Sequence, residues 1–102
     1  MKEQIIERMF VKKVKQMGGM ALKVNSTTMA GLPDRMVLLP HGVLFFAELK
    51  ATGKKPRVLQ EFVHKKLKDL GFTIYVIDSK EQVEEVLKGY ELCTAYLSKT
   101  SH

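Results

Sequence analysis

The sequence predicts an α/β domain with the element order helix, three strands, helix, strand, helix. Two segments, residues 2–16 and 57–70, repeat apolar side chains at the 3.6-residue period of a helix. Four short runs rich in β-branched, aromatic and leucine side chains lie between and after them, separated by Gly, Pro, Asn and Asp. Such an alternation is typical of a sheet with helices packed on its faces.

The first helix is predicted over residues 2–16. Its apolar side chains recur at helical spacing, whereas its lysines fall outside this apolar stripe. The apolar residues are Ile5, Ile6, Met9, Phe10 and Met17. Gly18 and Gly19 end the helix. Residues 20–24 form a short strand, and the polar segment 25–32, rich in Ser and Thr, is predicted to be a mobile surface loop.

A β-hairpin follows, with strands at residues 36–39 and 43–47 joined by a three-residue turn at 40–42. In this hairpin Leu39 faces Val43, and continuing the same register places Asp34 opposite Glu48. The second strand is apolar at every position from 44 to 47, which predicts a central strand covered on both faces.

The second helix is predicted over residues 57–70, with Gly71 after it. Its residues at helical spacing are Leu59, Phe62, Val63, Lys66, Leu67 and Leu70. Residues 72–77 are predicted to form a strand. Asp78 and Ser79 are suited to cap a third helix, which is predicted to run to about residue 88. Residues 89–102 form a C-terminal extension that either lengthens this helix or frays.

The 102-residue length predicts one domain over 1–102, with its core at about 3–88. No apolar run approaches the length needed to span a bilayer, and the N-terminus lacks the apolar segment of a signal peptide. A single cysteine excludes an internal disulfide, so an intracellular protein is expected. The net charge of +6 favours an anionic partner such as nucleic acid, although charge alone is a weak indication.

The predicted register brings Asp34, Glu48 and Lys50 together. Directly opposed residues have Cβ atoms about 5 Å apart, and like charges repel there. Two facing carboxylates make chemical sense when a divalent cation lies between them. Lys50 lies two residues beyond Glu48 and therefore points to the same face of the sheet. Two carboxylates and an amine around one point form an arrangement suited to cutting phosphodiesters.

Each residue type has a task in that chemistry. Mg²⁺ prefers oxygen ligands and takes one or two carboxylates from a protein, here Asp34 and Glu48, with the Leu49 carbonyl as a possible third ligand. The metal activates water and neutralises phosphate charge. Three roles stay open for Lys50: orienting the attacking water, helping to deprotonate it, or stabilising charge on the phosphorus centre.

The alternative interpretation of this set is a surface ion pair at the end of a strand. The chain contains a second acid-x-Lys tripeptide, at 78–80, for which capping of the third helix is a sufficient explanation. Glu48 differs because it ends an apolar strand, faces a second acid and precedes a basic loop. The ion-pair interpretation does not explain that second acid.

Three further side chains are candidates. Glu7, at the edge of the first helix's apolar stripe, is either another metal ligand or a solvated acid near a helix N-terminus. Gln60 either positions phosphate or the nucleophile, or is an exposed helix former. His64, one turn later, has no identifiable carboxylate partner, so we expect it to face DNA or solvent rather than act as a base.

Basic residues surround the candidate centre along the sequence, and each taken alone is also explained as part of a solvated surface. The set expected to contact DNA phosphates is Arg35, Lys54, Lys55 and Arg57, with His64, Lys65 and Lys68 on the second helix. The three histidines and the cysteine are too scattered for a zinc site.

Several short segments in combination resemble a known family. They are Gly-Leu-Pro-Asp-Arg at 31–35, Phe-Ala-Glu-Leu-Lys at 46–50, Leu-Gln at 59–60 and Leu-Gly-Phe at 70–72. Together they resemble the virus-type replication-repair nuclease (VRR-NUC) domain of the PD-(D/E)xK nuclease superfamily, over roughly residues 3 to 88. The resemblance implies a restriction-endonuclease-like αβββαβ core whose mixed central sheet is flanked by helices.

The resemblance also implies roles for individual residues. Asp34 and Glu48 would be ligands of Mg²⁺ or Mn²⁺, Lys50 the catalytic lysine, Gln60 an active-site helper and Glu7 the acid of the first helix. The chain is similar in size to stand-alone phage-type members, which are homodimers that cut four-way (Holliday) DNA junctions. A phage protein of this kind would act in the cytoplasm of a bacterial host.

The dimer has a physical argument as well, because symmetric cuts in a junction require two active sites related by a two-fold axis. Met17, Met20, Leu92 and Tyr96 are candidates for that interface. The alternatives are a nuclease of the same chemistry acting on flaps, duplex DNA or RNA, a nucleic-acid-binding module without catalysis, and a phage structural or adaptor protein.

Overall fold

The computed structural model describes residues 1–25, 27 and 29–100. The elements are α1 (Glu3–Gln16), β1 (Met20–Lys23), β2 (Arg35–Leu39), a 3₁₀ turn (Pro40–Gly42), β3 (Val43–Leu49), α2 (Val58–Asp69), β4 (Ile74–Ile77) and α3 (Lys80–Thr100). This order confirms the predicted α/β fold. The predicted loop at 25–32 includes residues 26 and 28, which lie outside the described part, so its mobility stays a prediction.

The four strands form one mixed sheet in the order β1-β2-β3-β4. The pairs β1–β2 and β2–β3 are antiparallel, whereas β3 and β4 are parallel because α2 connects them. β3 is therefore a central strand, as predicted. The turn before it places His41 at φ 69°, an uncommon conformation for a residue other than glycine, and Gly42 follows at φ 73°.

One face of the sheet carries the main core. Alternate residues of β2 and β3 point toward α1 and α3, and the fully enclosed cluster includes Ile6, Phe10 and Val14 of α1 with Val83 and Leu87 of α3. The strand residues in this cluster are Val37, Leu39, Phe45, Ala47, Leu49 and Ile77. Residues between them in sequence, including Glu48, point to the opposite face, where α2 lies.

The second face of the sheet is only partly covered, which corrects the prediction that β3 is enclosed on both sides. Leu44 is 40% exposed, whereas Glu48 at the other end of the strand is fully buried. The side of α2 that is buried also differs from the predicted apolar stripe. Val63 and His64 are buried, but Phe62 is 57% exposed.

α3 continues well beyond the predicted end near residue 88, through Thr100. Ser79 caps it, since its Oγ accepts the N–H of Gln82 at 3.1 Å, while the Gln82 side chain accepts the N–H of Asp78 at 2.7 Å. The capping explanation for the tripeptide at 78–80 is thus confirmed. Across the described residues, no helix combines the length and apolar character needed to cross a bilayer.

Candidate active site

The hairpin register that brings the two acids together is confirmed. Arg35 pairs with Ala47, and Leu39 pairs with Val43. One step further, the Asp34 carboxylate accepts the backbone N–H of Leu49 at 2.9 Å. Its own carbonyl accepts the N–H of Val24 at 2.8 Å, which ties the start of β2 to the end of β1. Asp34 is therefore held against the end of β3 beside Glu48.

Glu48 is fully buried and lies at the centre of the cluster. Its Oε2 accepts hydrogen bonds from the ammonium group of Lys50 at 3.0 Å and from Nε2 of Gln60 at 2.8 Å. Both donors were predicted site residues. The Lys50 side chain is only 15% exposed, so this ion pair is largely shielded from water. The structure thus places Asp34, Glu48, Lys50 and Gln60 in one connected group.

Burial raises the pKa of Glu48 above its usual value of 4.5, and the neighbouring Asp34 carboxylate raises this pKa further. Lys50 and the amide of Gln60 act in the opposite direction, because both stabilise the ionised form. A buried carboxylate with a raised pKa next to a second carboxylate is typical of a functional site rather than of a stabilising ion pair. A divalent cation would relieve the repulsion between the two acids.

Gln60 reaches Glu48 because α2 begins just beyond the basic loop. Its amide bridges two elements, donating to Glu48 and accepting the backbone N–H of Arg57 at 2.9 Å. A cavity of about 280 Å³ opens beside it. The lining residues are Ala30, Gly31, Leu32, Asp34, Arg57, Leu59 and Gln60. Asp34 and Gln60 therefore face a space open to an incoming phosphate.

His64 corrects a prediction. It was expected to face DNA or solvent, but it is only 5% exposed and lies on the buried side of α2. Its Nε2 is 3.9 Å from Oε1 of Glu48. Burial lowers its pKa, and the positive charge of Lys68 lowers this pKa further. A signal was present in the sequence, because positions 60 and 64 share one face of a helix. A helix orientation that turns Gln60 toward the site therefore turns His64 toward it as well.

Glu7 and Arg35 pair with each other. The guanidinium of Arg35 donates to Oε2 of Glu7 from Nε at 3.2 Å and from Nη2 at 3.1 Å, and its Nη1 donates to the carbonyl of Ala21 at 3.0 Å. This pair ties α1 to β1 and β2. In the described part of the chain, Glu7 makes no hydrogen bond or ion pair with Asp34, Glu48 or Lys50. Its role as a metal ligand stays a prediction without a supporting contact.

The remaining predicted DNA contacts lie on the surface. Lys54, Lys55 and Arg57 are exposed in the loop that leads from β3 into α2. Asp78 fastens this loop, since its carboxylate accepts the N–H of Gly53 at 3.1 Å. Lys65 is paired with Asp69 at 3.1 Å. The loop therefore presents exposed cations, of which Arg57 lines the cavity, whereas Lys65 has an acidic partner.

The residues present fit a hard divalent cation. Within residues 1–25, 27 and 29–100, no three His, Cys, Asp or Glu side chains group into a metal site of their own. Mg²⁺ and Mn²⁺ need fewer protein ligands, since water completes the shell. Oε1 of Glu48 is buried and has no hydrogen-bond partner among the described residues. The Asp34 carboxylate interacts electrostatically with the same side chain, so this oxygen is suited to bind a cation.

Comparisons with known proteins agree with this geometry. No family model matches the chain. A curated relative, "Putative nuclease p44" of Acyrthosiphon pisum secondary endosymbiont phage 1, is 41% identical over 80 residues, which are 78% of this chain and 86% of the relative. A solved structure described as "VRR_NUC domain" superposes with a TM-score of 0.80 at 28% identity, covering 86% of this chain and 96% of that one. The chain therefore belongs to the VRR-NUC nuclease family.

Proposed function

We propose that this nuclease is a Mg²⁺- or Mn²⁺-dependent DNA endonuclease that cuts branched DNA as a homodimer, with a four-way junction as its substrate. The main support is the buried Glu48 carboxylate, which is held by Lys50 and Gln60 and lies next to Asp34. A purely structural carboxylate has no need of a second acid nearby, and the pair raises the cost of keeping Glu48 ionised.

Asp34 and Glu48 would hold the cation, and the Leu49 carbonyl is a further candidate ligand. When bound, the cation supplies a water of lowered pKa and neutralises phosphate charge. Lys50 has its ammonium group 3.0 Å from Glu48, close enough to orient that water or to stabilise charge on the phosphate. Gln60 faces the cavity while bonded to Glu48, so it fixes the direction from which phosphate approaches.

The basic loop supports DNA as the substrate. Lys54, Lys55 and Arg57 are exposed, and Arg57 also lines the cavity beside Asp34. Cations placed there would hold the phosphates on either side of the scissile bond, with an affinity that falls steeply as salt is added. Contacts of this kind position a backbone without reading its sequence, which suits selection by DNA shape.

The exposed apolar side chains suggest where a second copy binds. Leu59, Phe62 and Leu70 lie on one side of α2, at 50%, 57% and 73% exposure. On the other side of α2, Glu61 and Lys68 line a cavity together with Val76 of β4. We infer that the apolar side is turned toward the open half of the sheet, where Met20 of β1 and Leu44 of β3 are exposed. We define the α2–sheet surface as Met20, Met29, Leu44, Leu59, Phe62, Leu70 and Phe72.

The size and position of this surface favour a second copy of the chain. Its side chains are between 40% and 73% exposed and together present on the order of 600 Å² to solvent. A stable interface buries about 800 Å² per partner, so this surface would supply most of one side of a dimer interface. Its area is at the upper end of the roughly 300–600 Å² of the largest apolar patch on a typical monomer, and such patches are often functional. Leu59 belongs both to this surface and to the rim of the cavity, so a partner bound here would lie beside the active site.

Replacing Phe62 by aspartate is expected to raise the dimer dissociation constant by about 30-fold or more, because a charge would be buried at the centre of the interface. Light scattering coupled to size exclusion, over a range of protein concentrations, measures this. Ile5→Asp is the matched control, since Ile5 is 43% exposed on α1, which packs on the opposite face of the sheet. A monomeric wild-type protein, or a Phe62→Asp variant that dimerises normally, would contradict the assignment.

The substrate is tested with the wild-type protein and labelled four-way junction, flap, duplex DNA and RNA in competition. We expect symmetric nicks in the junction with Mg²⁺ or Mn²⁺, none with excess EDTA, and restoration when Mn²⁺ is added back. Preferred cutting of flap, duplex or RNA would show that the substrate assignment is wrong, while the proposed metal-dependent phosphodiester hydrolysis would still hold. Binding of DNA with no cutting under any metal would mean a binding module instead.

A further inference from the structure

The strongest unexplained feature near the site is the contact between His64 and Glu48. Both side chains are buried, at 5% and 0% exposure. Nε2 of His64 and Oε1 of Glu48 are 3.9 Å apart, and neither atom has a hydrogen-bond partner among the described residues. Buried polar atoms are nearly always satisfied, so two unpartnered atoms that face each other call for an explanation.

The gap is about 1 Å longer than an N–H···O hydrogen bond. It is too short to hold a bridging water comfortably, since a water needs about 2.8 Å to each partner in an open angle. A small rotation of either side chain closes it. A neutral imidazole carries one N–H and one lone pair, and only the form with hydrogen on Nε2 attracts the carboxylate.

We propose that His64 is a positioning residue of this nuclease, whose Nε2–H donates to Oε1 of Glu48 and fixes the carboxylate that binds the metal. The inference rests on the proposed metal-dependent function. A carboxylate has about four acceptor positions. Lys50 and Gln60 take two of them on Oε2. With His64 on one side of Oε1, a single position remains, and it is left for the cation shared with Asp34.

This arrangement gives each donor a distinct task. Lys50 comes from the end of β3, whereas Gln60 and His64 project one turn apart from α2, so the helix holds both oxygens of Glu48 at once. Donors that orient a metal-binding carboxylate affect metal affinity, and their loss costs about 10–100-fold. His64 would act through Glu48, without touching DNA or the reacting atoms.

The first test is Mn²⁺ binding to DNA-free protein by calorimetry. His64→Leu fills the space without a donor and is expected to weaken Mn²⁺ binding about 10–100-fold. His64→Gln, whose amide reaches the Nε2 position, should stay within about threefold of the wild type. His41→Gln is the control, because His41 is exposed and hydrogen-bonded to Ser98 at 3.0 Å. A folded His64→Leu variant with wild-type Mn²⁺ affinity would overturn the proposal.

The second test needs neither metal nor activity. Long-range ¹H–¹⁵N correlation spectra of the metal-free protein report which ring nitrogen of His64 carries hydrogen. The proposal requires hydrogen on Nε2, and hydrogen on Nδ1 alone would refute it even if His64→Leu fails to fold. Should the wild-type protein bind no Mn²⁺ while the ring is in the Nε2–H form, the metal-dependent function fails and the His64–Glu48 contact stands.

Discussion

Lys50→Ala is expected to lower the rate of junction cleavage by about 10²–10⁴-fold while leaving the fold and DNA binding intact. The ammonium group of Lys50 is the only charged donor within 4 Å of the Glu48 carboxylate in the described part of the chain, apart from His64 if that ring is protonated. Its loss removes the group that orients water or stabilises phosphate charge. Single-turnover cleavage with saturating Mn²⁺ measures the chemical step directly.

The chain supplies its own control for this variant. Lys80 stands in the second acid-x-Lys tripeptide, is exposed, and begins α3 behind the Ser79 cap. Lys80→Ala removes the same charge from the same local pattern and is expected to cleave at the wild-type rate. Equal losses in both variants would indicate a general effect of charge on DNA binding, and undiminished cutting by Lys50→Ala would reject the site.

Glu48→Gln is expected to abolish cleavage and, at pH above the raised pKa of Glu48, to raise the thermal stability of the protein. The amide oxygen can still accept from Lys50 and Gln60. The new NH₂ group takes the place of Oε1, and the His64 ring can carry its hydrogen on Nδ1 in this variant, so that Nε2 accepts from the amide. The variant no longer has to keep a buried carboxylate ionised beside Asp34. A change of 1 kcal/mol in a domain of this size moves Tm by about 4–8 °C.

The pH dependence follows from the raised pKa of Glu48. At pH values between 4.5 and the folded-state pKa of Glu48, this side chain keeps its proton in the native protein but has released it in the unfolded chain. Wild-type stability from this group is therefore fully present below pH 4.5 and is lost as pH rises through the folded-state pKa. The Tm advantage of Glu48→Gln should grow over that range and then level off.

Calorimetric melts from pH 4 to 9 test this dependence. Glu84→Gln on the exposed face of α3 provides the control, for which no comparable growth with pH is expected. A Tm difference for Glu48→Gln that stays constant would mean that folding leaves the pKa of Glu48 unshifted, and one that shrinks as pH rises would mean that the fold stabilises the carboxylate. Either result would contradict the raised pKa.

The geometry around Asp34 and Glu48 was predictable from sequence because a hairpin with a three-residue turn leaves little freedom. Once Leu39 faces Val43, the two-residue period fixes which side chains share a face, and Lys50 follows Glu48 automatically. Gln60 was predictable only as a candidate. The separation of α2 from the sheet depends on the loop at 50–57, whose path the sequence pattern does not determine.

The orientation of α2 could not be predicted from hydrophobic periodicity. The pattern favoured burial of Leu59, Phe62 and Leu70, yet all three are at least half exposed. The helix instead turns Gln60 and His64 inward, because a buried carboxylate at position 48 requires polar partners and α2 is the described helix that supplies them. The same orientation of α2 leaves the α2–sheet surface exposed to solvent. It also explains why the sequence pattern wrongly predicted that His64 faces DNA or solvent.

The proposed function requires Asp34 and Glu48 to bind one divalent cation beside Lys50. The most direct measurement is a crystal structure of the protein grown with Mn²⁺, with data collected at the manganese absorption edge. We expect at least one anomalous peak per chain, with a carboxylate oxygen from each acid within about 2.3 Å and water completing the shell. A peak elsewhere, or one bound by only one of the two acids, would contradict it.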